Sequence, residues 1–79
     1  MRARVYVTLK PSVFDPQGRV VAEALHSLGY GDVRDVRQGK FFEVELDGDD
    51  RAAAEARVGE MAATLLANPV IESYRVEVL

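Results

Sequence analysis

The chain has 79 residues, 48% of them hydrophobic and 29% charged, with one histidine, no cysteine and a formal net charge of -3. A domain of this size buries only about 60% of the surface its unfolded chain exposes, so little protein is left to wall off a deep pocket and an autonomous enzyme is not expected. The missing cysteines exclude disulfides, thiolate metal sites, iron–sulfur clusters and a cysteine nucleophile, and His26 alone makes no histidine-based metal site.

The acidic balance argues against nucleic-acid binding, which clusters lysine and arginine on one face. The polar residues of Met1–Thr8 interrupt any apolar run, and no stretch reaches the roughly 18 apolar residues of a membrane span. The sequence reads as a soluble cytosolic protein with neither nucleic acid nor membrane as partner. Small size without a covalent staple makes self-association the expected support.

Val5, Val7 and Leu9 alternate with Tyr6, Thr8 and Lys10, which predicts a first strand over about 3–9. Asp15-Pro16 supplies an N-cap and a proline suited to the first helical position. Val21, Leu25 and Leu28 then recur at helical spacing until Gly29-Tyr30-Gly31, predicting a helix over 16–28. Val33–Arg37, a tight turn at Gln38-Gly39-Lys40, and the alternation of Phe42, Val44 and Leu46 read as a hairpin of second and third strands. After Asp47-Gly48-Asp49-Asp50, the series Ala54, Val58, Met61, Leu65, flanked by Ala62 and Leu66, predicts a second helix over 51–67, stopped by Asn68-Pro69. Tyr74, Val76 and Val78 make a fourth strand.

The order β-α-β-β-α-β is that of ferredoxin-like α+β folds: one domain over 1–79, a four-stranded antiparallel sheet with both helices on one face. Val5, Val7, Leu9, Phe42, Val44, Leu46, Tyr74, Val76 and Val78 face the helices. The opposite face carries Tyr6, Thr8 and Phe41 among charges and is left for a partner, which makes these three the expected dimer interface through the open face or a strand edge.

Catalytic residues are hard to find. Glu43 and Glu45 share a face, but no other acid or base converges on them. The Asp47–Asp50 run lacks the calcium-loop pattern, and His26 has no fixed acidic partner at a telling spacing. Lys40 followed by Phe41 and Phe42 sits where RNA-recognition modules place stacking rings, yet Glu43 and Glu45 beside them would repel phosphate. Two strand–helix junctions stand out instead, Leu9–Gly18 and Asn68–Tyr74. Capping explains Asp15, Pro16, Asn68 and Pro69 but not Lys10 or Gln17. Together with Lys40 they give a candidate partner-binding set of Lys10, Asp15, Gln17, Gly18, Lys40, Asn68, Ile71 and Glu72, with no catalytic and no metal-binding residue assigned.

Val5–Lys10 running into Asp15-Pro16-Gln17-Gly18, Leu25–Tyr30 followed by Val36–Lys40, and Leu65–Tyr74 together resemble the PurS family, the small subunit of phosphoribosylformylglycinamidine synthase. The resemblance spans essentially the whole chain. It implies a non-catalytic dimer, or a dimer of dimers, that bridges a glutaminase subunit (PurQ) and a synthetase subunit (PurL) in de novo purine biosynthesis. It implies help with ammonia transfer during the glutamine-dependent conversion of formylglycinamide ribonucleotide to formylglycinamidine ribonucleotide. ATP and Mg would be used by the synthetase, with no cofactor in this chain. The alternative is a free-standing ACT-like module that senses a small molecule near the first strand–helix junction, where Asp15 and Gly18 lie.

Overall fold

A computed structural model describes all residues 1–79. β1 (Arg2–Leu9) is its central element, flanked by β2 (Gly39–Glu45) on one side and β3 (Glu72–Val78) on the other, both antiparallel to it. The registers Val5↔Phe42 and Val5↔Val76 bring the apolar alternations of all three strands onto one face.

α2 (Arg51–Met61) covers that face. Asp50 caps it by accepting the Ala53 N–H at 3.2 Å. Ala54, Val58 and Ala62, four residues apart, are buried, Val58 and Ala62 pack on Ala3, Val5 and Val7, and Val5, Val7 and Val58 are the largest fully buried side chains. Each such aliphatic contributes about 1.5–3 kcal/mol by leaving water. The helix does not run evenly to 67. Ala62–Leu66 forms a π-helical turn, closed by the Ala67 N–H on the Ala62 carbonyl at 2.8 Å. The extra residue in that turn rotates the face, so Leu66 and Ala67 pack on the core while Leu65, expected inside, is 82% exposed.

Two expectations are corrected. The sheet has three strands in the order β2-β1-β3, not four, because Val33–Gln38 is not a strand. Its polar groups are committed elsewhere: the Val33 N–H to the Tyr30 carbonyl, the Val36 N–H to the Asp35 carboxylate, and the Gln38 N–H to the Asp15 carboxylate. Two of the three residues assigned to the hairpin turn belong to β2, where Gly39 pairs with Thr8 and Lys40 with Val7. Gly39 passes so close to the Val7 carbonyl that any side chain would collide with it.

The second correction concerns α1 (Pro16–Ser27). It does not share the helical layer with α2, because it has no substantial packing on any strand or on α2. Residues 10–38 form an arm that leaves the end of β1, turns through α1 and returns to the start of β2. The radius of gyration, 15.8 Å, exceeds the about 12 Å of a compact 79-residue domain, and the long axis reaches 48 Å. No helix is long and apolar enough to cross a membrane.

Candidate functional site

The arm is tied at its base. Asp15, only 4% exposed, accepts the Gly18 N–H at 2.8 Å through Oδ1, which caps α1, and the Gln38 N–H at 2.6 Å through Oδ2. Arg37 reaches across with Nη2 to donate to the Lys10 carbonyl at 3.0 Å and the Val13 carbonyl at 2.8 Å. Gly18 lies against the Val36 carbonyl with no room for a methyl group. The two ends of a 29-residue excursion (10–38) are therefore held together by one carboxylate, one guanidinium and one close backbone approach.

Beside this base lies a cavity of about 220 Å³, lined by Leu9, Asp15, Gln17, Gln38, Gly39, Lys40 and Glu72. Lys40 Nζ stands 3.4 Å from Glu72 Oε2, while Glu72 Oε1 accepts the Asn68 N–H at 2.7 Å. Asn68 in turn accepts the Val70 N–H through Oδ1 at 3.0 Å and the Glu72 N–H through its carbonyl at 2.7 Å, which folds residues 68–72 into a closed turn leading into β3. The Ile71 carbonyl accepts the Lys10 N–H at 2.8 Å and joins that turn to the end of β1.

Hydrogen bonds shape the charges. The N–H groups of Gly18 and Gln38 hold the Asp15 carboxyl below its usual 3.8, aided by Arg37 and opposed by burial. Glu72 is held below its usual 4.5, first by the Asn68 N–H and then by Lys40, again against burial. Both groups are anions, Asp15 accepting two backbone N–H groups and Glu72 one together with the Lys40 ammonium. Neither is placed as a free base, and no hydroxyl or other nucleophile is bonded to either. No group of three or more His, Cys, Asp or Glu side chains converges anywhere in the chain. What the cavity offers is a lysine, the amide of Gln17 and a ring of fixed backbone: a rigid polar surface suited to recognition.

Of the eight residues singled out in the sequence, Asp15, Gln17, Lys40 and Glu72 meet in this cavity, and Gly18 stands behind Asp15. Lys10, Asn68 and Ile71 join through the backbone of the neighbouring turn, outside the lining. Gln38 and Arg37 belong to the same site and were missed, since reading Gln38-Gly39-Lys40 as a tight turn hid their partners 23 to 27 residues away. Thr8 lines a cavity of about 470 Å³ with Leu9, Pro11, Asp35, Ser73 and the Arg37 of the arm base, while Tyr6 and Phe41 lie apart, on the other face of the sheet. There the Tyr6 and Phe41 rings are 5.3 Å apart and tilted by 48°, the Arg75 guanidinium sits 4.2 Å over Tyr6, and Glu77 gathers Tyr6 Oη (3.4 Å), Arg4 (3.6 Å) and Arg75 (3.9 Å).

Residues 2–79 match the family described as PurS, phosphoribosylformylglycinamidine (FGAM) synthase. The chain belongs to the PurS family. It is 52% identical over 77 residues to the phosphoribosylformylglycinamidine synthase subunit PurS of Bacillus subtilis, a match covering 98% of this chain and 90% of that one. Its fold superposes on the crystal structure of B. subtilis PurS with a TM-score of 0.83 at 51% identity, over 96% of this chain and 94% of that one. A chain of the PurLQS structure from Thermotoga maritima is similar at a TM-score of 0.88 and 28% identity, over 99% of this chain and 95% of that one. The family likeness covers the arm and both candidate surfaces.

Proposed function

We propose that this chain is the small, non-catalytic subunit of a cytoplasmic phosphoribosylformylglycinamidine synthase in de novo purine biosynthesis, bridging a PurQ glutaminase subunit and a PurL synthetase subunit. The observation that carries this reading is membership of the PurS family over residues 2–79. The site chemistry fits a recognition role, because both carboxylates at the arm base are engaged in holding backbone. ATP and Mg serve the synthetase subunit. The role left to this chain is to hold two active sites in register, so that ammonia released at one reaches the other before it escapes or is protonated in bulk water.

The arm-base cavity, with Gln17, Lys40 and Glu72, and the adjoining turn of Lys10, Asn68 and Ile71 form one contact surface for the larger subunits. The outer sheet face with Tyr6, Thr8 and Phe41 forms another surface for a neighbouring chain. The decisive experiment is formation of formylglycinamidine ribonucleotide by the purified synthetase and glutaminase subunits, with and without this chain, supplied with either glutamine or free ammonia. Dependence on this chain with glutamine alone supports the reading. Independence with both nitrogen sources overturns it.

A further inference from the structure

Where the arm leaves the sheet, the cavity of about 470 Å³ beside Arg37 is distinct from the one lined by Asp15 and Glu72. Thr8 and Leu9 of β1 and Ser73 of β3 form one wall, and Pro11, Asp35 and Arg37 of the arm form the other. Its volume lies within the about 300–1,000 Å³ of sites that hold small molecules, but its lining is mainly polar where such sites are mainly apolar. A polar solute is what it suits.

The polar groups of this lining are left over by the fold. Arg37 commits only Nη2, to the Lys10 and Val13 carbonyls, so its Nε–H and both Nη1 hydrogens have no acceptor in the protein. Asp35 uses Oδ1 to accept the Val36 N–H and leaves Oδ2 unbonded. The hydroxyls of Thr8 and Ser73, residues directly opposed on β1 and β3, make no hydrogen bond to the protein. Arg37 and Asp35 line one cavity, yet they form no ion pair with each other or with any other side chain. A cation and an anion held apart in this way fit a ligand that carries both charges. A phosphate ester would meet repulsion from Asp35, and a polyamine would meet it from Arg37.

We propose that this cavity binds a free α-amino acid in its zwitterionic form. The Nε–H and Nη1–H groups of Arg37 donate to the ligand carboxylate, with the Thr8 and Ser73 hydroxyls as further donors, and Asp35 Oδ2 accepts from the ligand ammonium. Because Nη2 is already fixed on two carbonyls, the guanidinium is oriented before the ligand arrives, and less side-chain freedom is lost on binding. Leu9 and Pro11 supply the apolar wall along which the ligand side chain lies. The two recognising charges belong to the arm and the two hydroxyls to the sheet, so the ligand ties one to the other beside the Asp15–Gln38 bond. This inference does not rest on the role in purine synthesis.

The test follows the backbone amides of the full chain by nuclear magnetic resonance during titration with glycine, L-alanine and L-glutamine. Acetate, methylammonium and inorganic phosphate serve as probes that carry one kind of charge. At least one amino acid should saturably shift the amides of Thr8, Leu9, Asp35, Arg37 and Ser73, with a dissociation constant of about 1 mM or lower, and acetate and methylammonium should bind at least about 10-fold more weakly. Amide exchange in residues 10–13 and 35–38 should slow when the same amino acid is present. Asp35→Asn keeps the acceptor for the Val36 N–H and removes the charge, and it should weaken binding by at least about 10-fold with an unchanged circular dichroism spectrum. Ser73→Ala, which deletes an exposed hydroxyl on an edge strand, should weaken it less. Spectra unchanged by all of the amino acids overturn the proposal. Phosphate binding more tightly than any of them also overturns it, since the cavity is then a plain anion site, as do folded Asp35→Asn and Ser73→Ala chains that bind as the parent does.

Discussion

The two helices of this chain have similar lengths and apolar stripes, yet one makes the core and the other makes none of it. α2 begins at a cap on Asp50 and soon buries Ala54 and Val58, the latter among the β1 valines. α1 begins at a better cap, Asp15 with a 2.8 Å bond, and buries only Gly18. Helix formation and helix burial are thus separable. Capping and spacing decide the first, whereas the second is decided by where the connecting segments are fastened. In α1 the fastening is spent on closing the arm, and its apolar side stays exposed.

The largest effect expected from breaking this contrast is at Val58. Val58→Asp places a charge among Ala3, Val5 and Val7 and costs about 4 kcal/mol or more, comparable to the whole stability of a domain this small. Far-ultraviolet circular dichroism should show an unfolded chain. The same change at Val21 should leave secondary structure intact, because the valine touches no core of its own chain. If Val21→Asp unfolds the isolated chain as Val58→Asp does, the two halves are not different in kind.

The difference between the halves was half legible in the sequence. The period-two strands, the capped helix starts and the inward Ala54–Val58 pair follow from local spacing, and they stand where that spacing placed them. The missing strand does not follow from local spacing. Val33–Arg37 has the β-branched composition of a strand, and what prevents one is the Asp15–Gln38 bond, a contact across 23 residues with no sequence period. The exposure of Leu65 was equally hidden, since a π-helical turn changes the inward face without changing composition. In the candidate site, Asp15, Lys40 and Glu72 were found because turn chemistry made their segments conspicuous. Arg37 was not, because a long side chain acts far from its own position in the chain.

A medium effect is expected at the root of the arm. Gly18→Val drives a side chain into the Val36 carbonyl and should cost about 1–3 kcal/mol, seen as a shift of the denaturant midpoint. Amide exchange should quicken around residues 15–18 and 36–38 and stay slow in β1. Faster exchange throughout β1 would mean that the arm and the sheet form one cooperative unit.

Acid should loosen the same root. Asp15 and Glu72 both have folded-state values below their usual 3.8 and 4.5, so the stability they contribute is fully present above those values and is lost as pH falls through the lower folded ones. The Asp15→Asn, Glu72→Gln double variant should be less stable at neutral pH and lose less than the parent below pH 4.5. Parallel acid-unfolding curves for the two proteins would place the acid sensitivity elsewhere.

The smallest effect is the one that separates the two sides of α1. Arg19 and Glu23 form an exposed pair at 3.2 Å, four residues apart, on the side away from Val20 and Val21. Such a pair contributes about 0.3–0.5 kcal/mol, so Arg19→Ala should barely move the unfolding midpoint. Its value lies in the comparison with Val21→Asp, two residues along the same exposed helix and on its other side. Both substitutions lie outside the core, so loss of stability cannot distinguish them, and association can. Arg19→Ala should leave the sedimentation behaviour of the chain unchanged. If it weakens association as much as Val21→Asp does, the helix acts through its charge or through its folding as a whole, and the apolar side has no separate part in what the arm binds.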